Sequence, residues 1–285
     1  MASSTPPSAC GGGRRISAAR VAAMVGAVAL VVVVLLYLGV ARDGVKGDLS
    51  PAPAAGANLN LISRQFDQSL PGPGPAHLQL SNERTLSRWA QLLRPTEAHS
   101  RPGGRQSVAR LVTHTPEGAD SILLVLEQRR LADGTVWVRV RLPILPNNST
   151  GWVDRDNLGS YHVVHTELVV DRAERRITLY RDGRRAFTAA VGVGRSYWPT
   201  PAGHFFIREK LTRFASAFYG PLAFGTSARS AVLTDWLGGG FIGIHGTDQP
   251  QLIPGAISHG CIRLANPELL RLNRMLPVGT PLLVM

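Results

Sequence analysis

The sequence predicts a mostly β protein in which one N-terminal apolar helix precedes two small β domains. An uncharged apolar run lies near the N-terminus, and a segment rich in Pro, Ala and Gly follows it. The remainder shows short apolar strands separated by turn residues, with a helical pattern only near the C-terminus. We therefore divide the chain into an N-terminal segment 1–20, an apolar helix 21–41, a flexible linker 42–76, a first β domain 77–158 and a second β domain 166–285.

Residues 21–41 carry no charge and are rich in Val, Leu and Ala. At about 1.5 Å per residue a helix of this length crosses a hydrocarbon core of about 30 Å, which predicts a transmembrane helix. Arg14, Arg15 and Arg20 precede it, so the positive-inside bias places the N-terminus in the cytoplasm and the rest outside. A cleaved export signal is the alternative, since Gly39–Ala41 resembles a weak cleavage site.

The first β domain contains two apolar strands, Ile122–Leu126 and Val136–Leu142, on either side of an Asp-Gly turn. This arrangement predicts a β-hairpin. The later Gly151-Trp152-Val153 resembles the final strand of bacterial SH3-like domains, which implies a small β-barrel. The linker before it ends in Pro71–Pro75 and forms a spacer, with a short helix predicted at Leu59–Leu70.

The second β domain opens with a predicted hairpin and closes with a predicted helix. Asn266 is expected as the cap of that helix, with a proline and an acidic residue in its first turn. The predicted strands are Thr166–Asp171, Arg176–Tyr180, Ala189–Val193, Phe205–Arg208 and Phe241–Ile244, and the helix is Pro267–Met275.

The formal charge of +12 is spread along the chain and comes almost entirely from Arg, with Lys46 and Lys210 as the lysines. A dispersed charge of this kind does not indicate a nucleic-acid partner. Outside a membrane it favours weak attraction to anionic wall polymers and lipid head groups.

Cys261 is the candidate nucleophile, because Cys10 precedes the apolar run. A cysteine attacks carbonyl groups as the thiolate and needs a histidine to accept its proton. His245 ends an apolar strand, which delivers it to a strand end, whereas His259 lies only two residues from Cys261. We therefore expect His245 as the base. Gly260 lets backbone N–H groups around the thiol converge on an oxyanion.

His245-Gly246-Thr247, ten further residues and then Ser-His-Gly-Cys-Ile-Arg-Leu at 258–264 resemble the signature of the L,D-transpeptidase (YkuD) family of bacterial cell-wall enzymes. The resemblance extends from Thr166 to the C-terminus and includes Thr200–Phe205 and Pro277–Pro281. It implies Cys261 as nucleophile, His245 as general base and the Gly246 carbonyl as its orienting group. The residues expected at the oxyanion or substrate are Thr247, Ser258, His259, Gly260 and Arg263, although some members carry Asn in place of that arginine.

A long segment before the strand that ends in His245 carries aromatic residues and a run of three glycines, Gly238–Gly240. Aromatic side chains on a flexible hinge are typical of a substrate lid, so Tyr219 and Trp236 are candidate lid residues. His162 and His165 have no further ligands at metal-binding spacing, so neither a metal site nor a cofactor is expected.

The resemblance implies an enzyme that cleaves D-Ala from a peptidoglycan stem tetrapeptide and passes the acyl group to an amine of a neighbouring stem. The expected partners are stem peptides and the membrane, with the catalytic domain outside the cytoplasm in the bacterial cell envelope. Three alternatives stay open at this point: hydrolysis of the thioester, attachment of another amine, and a non-enzymatic wall-binding protein. The SH3-like domain is expected either to bind wall polymers or to brace the catalytic domain.

Overall fold

The computed structural model describes residues 76–212, 217–233 and 240–285, all within one compact unit that spans 58–285. These residues form a mostly β structure with a single α-helix near the C-terminus, as predicted. The predicted transmembrane helix 21–41, the helix at Leu59–Leu70 and almost all of the linker lie outside the described residues. In the described ranges, no helix has the length and apolar character needed to cross a membrane.

The first sheet contains eight strands: β1 (His77–Gln79), β2 (Ser87–Gln91), β3 (Thr96–His99), β4 (Ser107–Leu111), β5 (Ile122–Arg130), β6 (Val136–Arg141), β7 (Thr150–Asp154) and β8 (His162–Val164). All of its pairings are antiparallel, in the order β4-β3-β7-β6-β5-β2-β8, with β1 also paired to β5. A 3₁₀ turn at Arg155–Asn157 lies between β7 and β8 in the chain.

Strands β5 and β6 form the hairpin predicted from their apolar pattern. Val138 and Val140 are fully buried, so the alternation of β6 directs this face into the core of the first sheet. The run of five apolar residues in β5 has a different cause. Leu123 and Val125 face the same core, while Ile122, Leu124 and Leu126 face the second sheet. A strand buried on both faces has no polar side, which explains its continuous hydrophobicity.

The strands of the second sheet are β9 (Thr166–Asp171), β10 (Arg176–Arg181), β11 (Arg184–Ala190), β12 (Gly192–Gly194), β13 (Gly203–Leu211), β14 (Ala223–Arg229), β15 (Phe241–His245), β16 (Gly255–Ser258), β17 (Ile262–Arg263) and β18 (Pro281–Val284). Their order is β11-β10-β9-β18-β13-β14-β15-β17-β12-β16. Most of the pairings are antiparallel, and three are parallel: β18 with β9, β15 with β17, and β12 with β16. The same part of the chain contains a 3₁₀ turn at Pro250–Leu252 and helix α1 at Asn266–Asn273.

The predicted hairpin of β9 and β10 is confirmed, whereas the predicted strand Ala189–Val193 is divided between two strands. Strand β11 ends at Ala190 and pairs with β10, and β12 begins at Gly192 and pairs with β16 and β17. Val191 is buried between them and donates its N–H to the carbonyl of Arg175. The chain therefore changes partner strands at this residue, which a local apolar pattern does not reveal.

Helix α1 begins one residue earlier than predicted. Ala265 occupies the N-cap and makes no side-chain cap, and Asn266 is the first helical residue. The cap prediction for Asn266 was wrong because its side chain makes a tertiary hydrogen bond instead, to the backbone N–H of Thr247. The buried residues Leu269 and Leu272 attach the helix to the core of the second sheet.

The two sheets meet at an apolar cluster of Ile122, Leu124 and Leu126 from β5 with Phe206 from β13. Along β13, Phe205 and Ile207 point to the opposite face and join the core of the second sheet. The same strand therefore anchors both layers.

Several polar side chains form a hydrogen-bonded network beside that cluster. Arg208 Nη2 donates to Glu209 Oε1 at 2.7 Å and to Glu117 Oε2 at 3.2 Å. Thr115 Oγ1 donates to Glu209 Oε2 at 2.7 Å. Burial raises the pKa of Glu209, although Arg208 and the Thr115 hydroxyl oppose that rise. A charge held here without its partners would be costly, so these contacts tie the two sheets together.

Candidate active site

His245 is the last residue of β15 and is 2% exposed. Its Nδ1 lies 2.7 Å from the carbonyl oxygen of Gly246, the residue that follows. A carbonyl oxygen only accepts hydrogen bonds, so Nδ1 carries the proton in the neutral ring and Nε2 keeps its lone pair. This is the tautomer that a general base requires.

Cys261 lies in the turn between β16 and β17 and is partly exposed. Strands β15 and β17 are parallel, and the register pairs Ile244 with Ile262. This register brings Cys261 beside Gly243, whose N–H donates to Cys261 Sγ at 3.4 Å. A Cβ placed on Gly243 would be 3.9 Å from both Cys261 Sγ and His245 Cδ2. The thiol and the imidazole therefore lie over the same glycine.

The turn that presents the thiol is held by Ser258, which is 1% exposed. Its hydroxyl donates to the Cys261 carbonyl at 2.5 Å and accepts from the Gly260 N–H at 3.1 Å. Gly260 has φ of +117°, in a region that disfavours residues with a Cβ. Because the Gly260 N–H is bonded to Ser258, it is not among the free backbone donors near the sulfur.

Thr200 supports the same turn from the other side. Its Oγ1 donates to the Gly260 carbonyl at 2.8 Å and accepts from the Gly194 N–H at 2.9 Å. Thr200 is 1% exposed, so both partners would lose a hydrogen bond in a dry environment if the hydroxyl were absent. The Thr-Pro-Ala-Gly-His-Phe motif was the sequence signal for this residue, but the motif alone gave it no role.

His259 lines the cleft beside Cys261, and its ring centroid lies 4.2 Å from that of Trp198. Thr247 is placed differently. It is 2% exposed, and its Oγ1 accepts from the N–H of Gln249 at 3.0 Å in the turn after His245. Thr247 does not line the cleft.

The cleft around the thiol is mainly apolar and is lined by residues from four segments of the chain, 218–219, 230–233, 240–245 and 258–263. Its lining residues are Phe218, Tyr219, Ser230, Leu233, Gly240, Phe241, Ile242, His245, Ser258, His259, Cys261 and Arg263. The Tyr219 ring contacts the His245 ring with centroids 4.8 Å apart, and Phe218 packs edge-on against Tyr219. Trp236, the second predicted lid residue, lies outside the described residues.

Arg263 is 6% exposed and faces this cleft. Its guanidinium carbon lies 4.6 Å from the centre of the Phe218 ring. Within the described residues its Nε has no hydrogen-bond partner. Arg263 therefore brings a positive charge to the wall of the cleft beside Phe218.

The pKa of His245 is lowered to about 4, mainly by burial; the hydrogen bond to Gly246 opposes this shift and the nearby Arg263 charge adds to it. Burial also raises the pKa of the Cys261 thiol, against the opposing effects of the Gly243 N–H and the Arg263 charge. At neutral pH the free site therefore holds a neutral thiol beside a neutral imidazole. The described residues contain no group of three or more His, Cys, Asp or Glu side chains placed to bind a metal.

Residues 165–284 match the YkuD family model, described as the L,D-transpeptidase catalytic domain. The chain is 29% identical over 119 residues to the putative L,D-transpeptidase YkuD of Bacillus subtilis, and 35% identical over 113 residues to that of Bacillus licheniformis. These matches cover 42% and 40% of this chain, and 65% and 61% of the two relatives. The resemblance seen in the sequence is thereby confirmed for the C-terminal part of the chain.

Solved structures also align with part of the chain. The catalytic domain of an Enterococcus faecium L,D-transpeptidase is 28% identical, with coverage of 42% of this chain and 96% of that one and a TM-score of 0.31. An L,D-transpeptidase from Mycobacterium tuberculosis H37Rv is 16% identical, with coverage of 53% and 90% and a TM-score of 0.35.

Proposed function

We propose that residues 166–285 form a cysteine acyltransferase that cross-links peptidoglycan as an L,D-transpeptidase. The observation that carries the proposal is the placement of Cys261 and His245 over Gly243 in one cleft, with the imidazole held through Nδ1 by the Gly246 carbonyl. The family match over 165–284 supports the substrate class.

The first half-reaction begins from the neutral pair. Cys261 Sγ attacks the carbonyl carbon of the third residue of a stem tetrapeptide while His245 Nε2 takes the thiol proton. The depressed pKa of His245 makes the imidazolium short-lived, because burial and the Arg263 charge both disfavour it. The proton then passes to the amine nitrogen of D-Ala as the carbon–nitrogen bond breaks. D-Ala is released, and the acyl group stays on Cys261 as a thioester.

The second half-reaction reverses these roles. An amine of a neighbouring stem attacks the thioester, His245 accepts a proton from that amine, and the sulfur leaves and is reprotonated. The same neutral imidazole therefore serves both steps. No metal or organic cofactor takes part in this scheme.

The oxyanion formed in each step needs donors close to the sulfur. The Gly260 N–H is engaged by Ser258, so the Cys261 N–H is the candidate backbone donor in this turn. Ser258 and Thr200 hold the two carbonyl groups on either side of that N–H, which keeps its direction fixed. Arg263 lines the same cleft, and its positive charge favours the negative charge that develops on the substrate oxygen.

The aromatic pair Phe218 and Tyr219 borders the cleft on the imidazole side. Exclusion of water at this wall favours transfer to an amine over hydrolysis, since a thioester exposed to water gives only the shortened stem. We assign Tyr219 to a substrate-covering lid, with Trp236 as a further candidate.

Residues 77–158 are proposed as an SH3-like domain that braces the catalytic domain or binds wall polymers. Residues 21–41 are proposed as a membrane anchor, with residues 1–20 in the cytoplasm. Together with the linker 42–76, these assignments place the enzyme in the cell envelope with its catalytic domain outside.

The test is incubation of the full chain with a purified disaccharide tetrapeptide, followed by mass spectrometry of the products. Appearance of a cross-linked dimer with loss of D-Ala supports transpeptidation. A tripeptide product without dimer would identify an L,D-carboxypeptidase, and substrate left intact would overturn the enzyme assignment. The matched control is Cys261→Ala, which retains the cleft and lacks the nucleophile.

A further inference from the structure

Asn266 is the point at which helix α1 contacts the loop that follows His245. Its side-chain Oδ1 accepts a hydrogen bond of 3.0 Å from the Thr247 N–H. The Gly246 carbonyl, in turn, accepts the hydrogen bond of 2.7 Å from His245 Nδ1. The Gly246 carbonyl and the Thr247 N–H belong to one peptide group.

Both ends of this peptide group are therefore bonded, one to the catalytic imidazole and the other to Asn266. A peptide group is planar, so fixing the direction of its N–H also fixes the direction of its carbonyl. Hydrogen bonds in a chain polarise one another, so an acceptor on the N–H makes the carbonyl a better acceptor for the imidazole. Asn266 thus acts on His245 through the peptide between them.

The backbone around Asn266 leaves room for its amide and for little else. A Cβ on Gly246 would lie 2.1 Å from Asn266 Oδ1, and one on Gly220 would lie 2.4 Å from the same atom. Gly220 follows Tyr219, whose ring contacts the His245 ring. Asn266 accordingly packs against both segments that surround the imidazole.

We propose that Asn266 is a positioning residue for His245. It holds the Gly246–Thr247 peptide so that the imidazole stays protonated at Nδ1 and presents the Nε2 lone pair. This inference rests on the proposed function only in taking His245 as the general base.

The groups that face His245 from the surrounding elements include Arg263 and Cys261 from β17 and its preceding turn, and Tyr219 from the segment before β14. Asp248 acts on Arg263. Asn266 carries no charge, so its effect runs through the hydrogen bond. An aspartate in its place would keep an acceptor oxygen and add a negative charge, which favours the imidazolium.

The experiment compares Asn266→Ala and Asn266→Asp in the full chain with Leu270→Ala and Leu270→Asp. Leu270 is on the same helix and is 41% exposed, so its variants control for helix propensity and for an added surface charge. The ring nitrogens of ¹⁵N-labelled histidine are followed by NMR, and the His245 signals are assigned by their loss in His245→Gln. In the wild type and both Leu270 variants, we expect one tautomer with protonated Nδ1.

Asn266→Ala should give a mixture of tautomers and reduce the rate of D-Ala release roughly tenfold, the low end of the effect known for partners that orient metal-bound histidines, with KM changed less than about twofold. Asn266→Asp should retain the tautomer, raise the pH at which His245 protonates, and shift the alkylation of Cys261 by iodoacetamide to lower pH. Leu270→Asp should leave that alkylation profile unchanged.

A pure Nδ1–H tautomer in Asn266→Ala, or an unshifted His245 titration in Asn266→Asp, would overturn the inference. If Asn266→Ala does not fold, the Asn266→Asp titration decides it alone. Should the wild type release no D-Ala, the proposed function fails, while the ring-nitrogen and alkylation measurements still decide the role of Asn266.

Discussion

The buried hydroxyl of Thr200 donates a hydrogen bond of 2.8 Å to the carbonyl of Gly260, the residue immediately before the proposed nucleophile. The two residues are sixty positions apart in sequence. Together with the hydrogen bond from Ser258 to the Cys261 carbonyl, this contact fixes the peptide groups before and after the Cys261 Cα. The geometry of the turn therefore depends on a residue that has no chemistry of its own.

Thr200→Val should slow thioester formation about tenfold and lower the free energy of unfolding by about 1–3 kcal/mol, because the substitution leaves the Gly260 carbonyl and the Gly194 N–H without a partner in a buried place. Single-turnover kinetics and urea denaturation measure the two effects. Thr178→Val is the control, since Thr178 forms a longer contact of 3.4 Å at an exposed position. Equal effects of the two substitutions would contradict the role of Thr200.

The thiol of Cys261 should become acylated by a carbapenem, because ring opening of the strained lactam drives the attack and the family likeness implies that this class fits the cleft. Intact-protein mass spectrometry should show one added carbapenem per chain. Cys261→Ser, or alkylation of Cys261 beforehand, should prevent the adduct. An adduct located on any other residue would refute the assignment of the nucleophile.

His245→Ala should reduce acylation far more than His259→Ala, because His245 carries the free Nε2 and His259 packs against Trp198. Loss of a general base typically costs about 10²–10⁴-fold in rate. The measurement is the rate of D-Ala release at a fixed pH near 7 for both variants. A larger loss in His259→Ala would reverse the order of the two histidines.

The buried His245 should make the fold sensitive to acid. Its pKa is about 4 in the folded chain and near 6.5 when unfolded, so its contribution is complete above pH 6.5 and is lost as the pH falls towards 4. At about 1.4 kcal/mol per pH unit this interval corresponds to about 3 kcal/mol. Urea denaturation of the wild type and of His245→Gln at pH 7 and at pH 4 measures it.

The wild type should lose about 3 kcal/mol more than His245→Gln over that range. Identical losses would show that His245 is not held neutral by its surroundings.

The buried Cys261 thiol affects stability at alkaline pH. Its pKa is raised in the folded chain, so its contribution to stability is present below pH 9 and is lost as the pH rises above that value.

Removal of Arg208 alone from the buried Arg208–Glu209 ion pair of β13 should destabilise the fold more than removal of both charges. Arg208→Met leaves the Glu209 charge without its partner and should destabilise the fold by about 3–5 kcal/mol. The double variant Arg208→Met/Glu209→Gln should recover most of that loss, because Glu117, the carboxylate then left without Arg208, is partly exposed to water. Arg271→Met is the matched control, since its ion pair with Glu268 is exposed and worth at most about 1 kcal/mol.

Sequence patterns predicted the β character of the described residues, the β5–β6 and β9–β10 hairpins, and the candidate pair Cys261 and His245. Alternation, turn residues and motif spacing are local signals, and each of these features depends mainly on neighbouring residues. The same signals failed at Val191, where the chain changes partner strands, and at Asn266, whose side chain leaves the helix end for a tertiary contact.

The assembly of the site depends on contacts between distant segments of the chain. The parallel register of β15 and β17 brings the thiol and the imidazole to one side of Gly243, and no local pattern encodes a register between strands seventeen residues apart. The hydrogen bonds of Thr200 and Asn266 and the depressed pKa of His245 also depend on contacts between distant segments. Burial and long-range hydrogen bonds arise only when distant segments pack together, so their effects are absent from any short stretch of sequence.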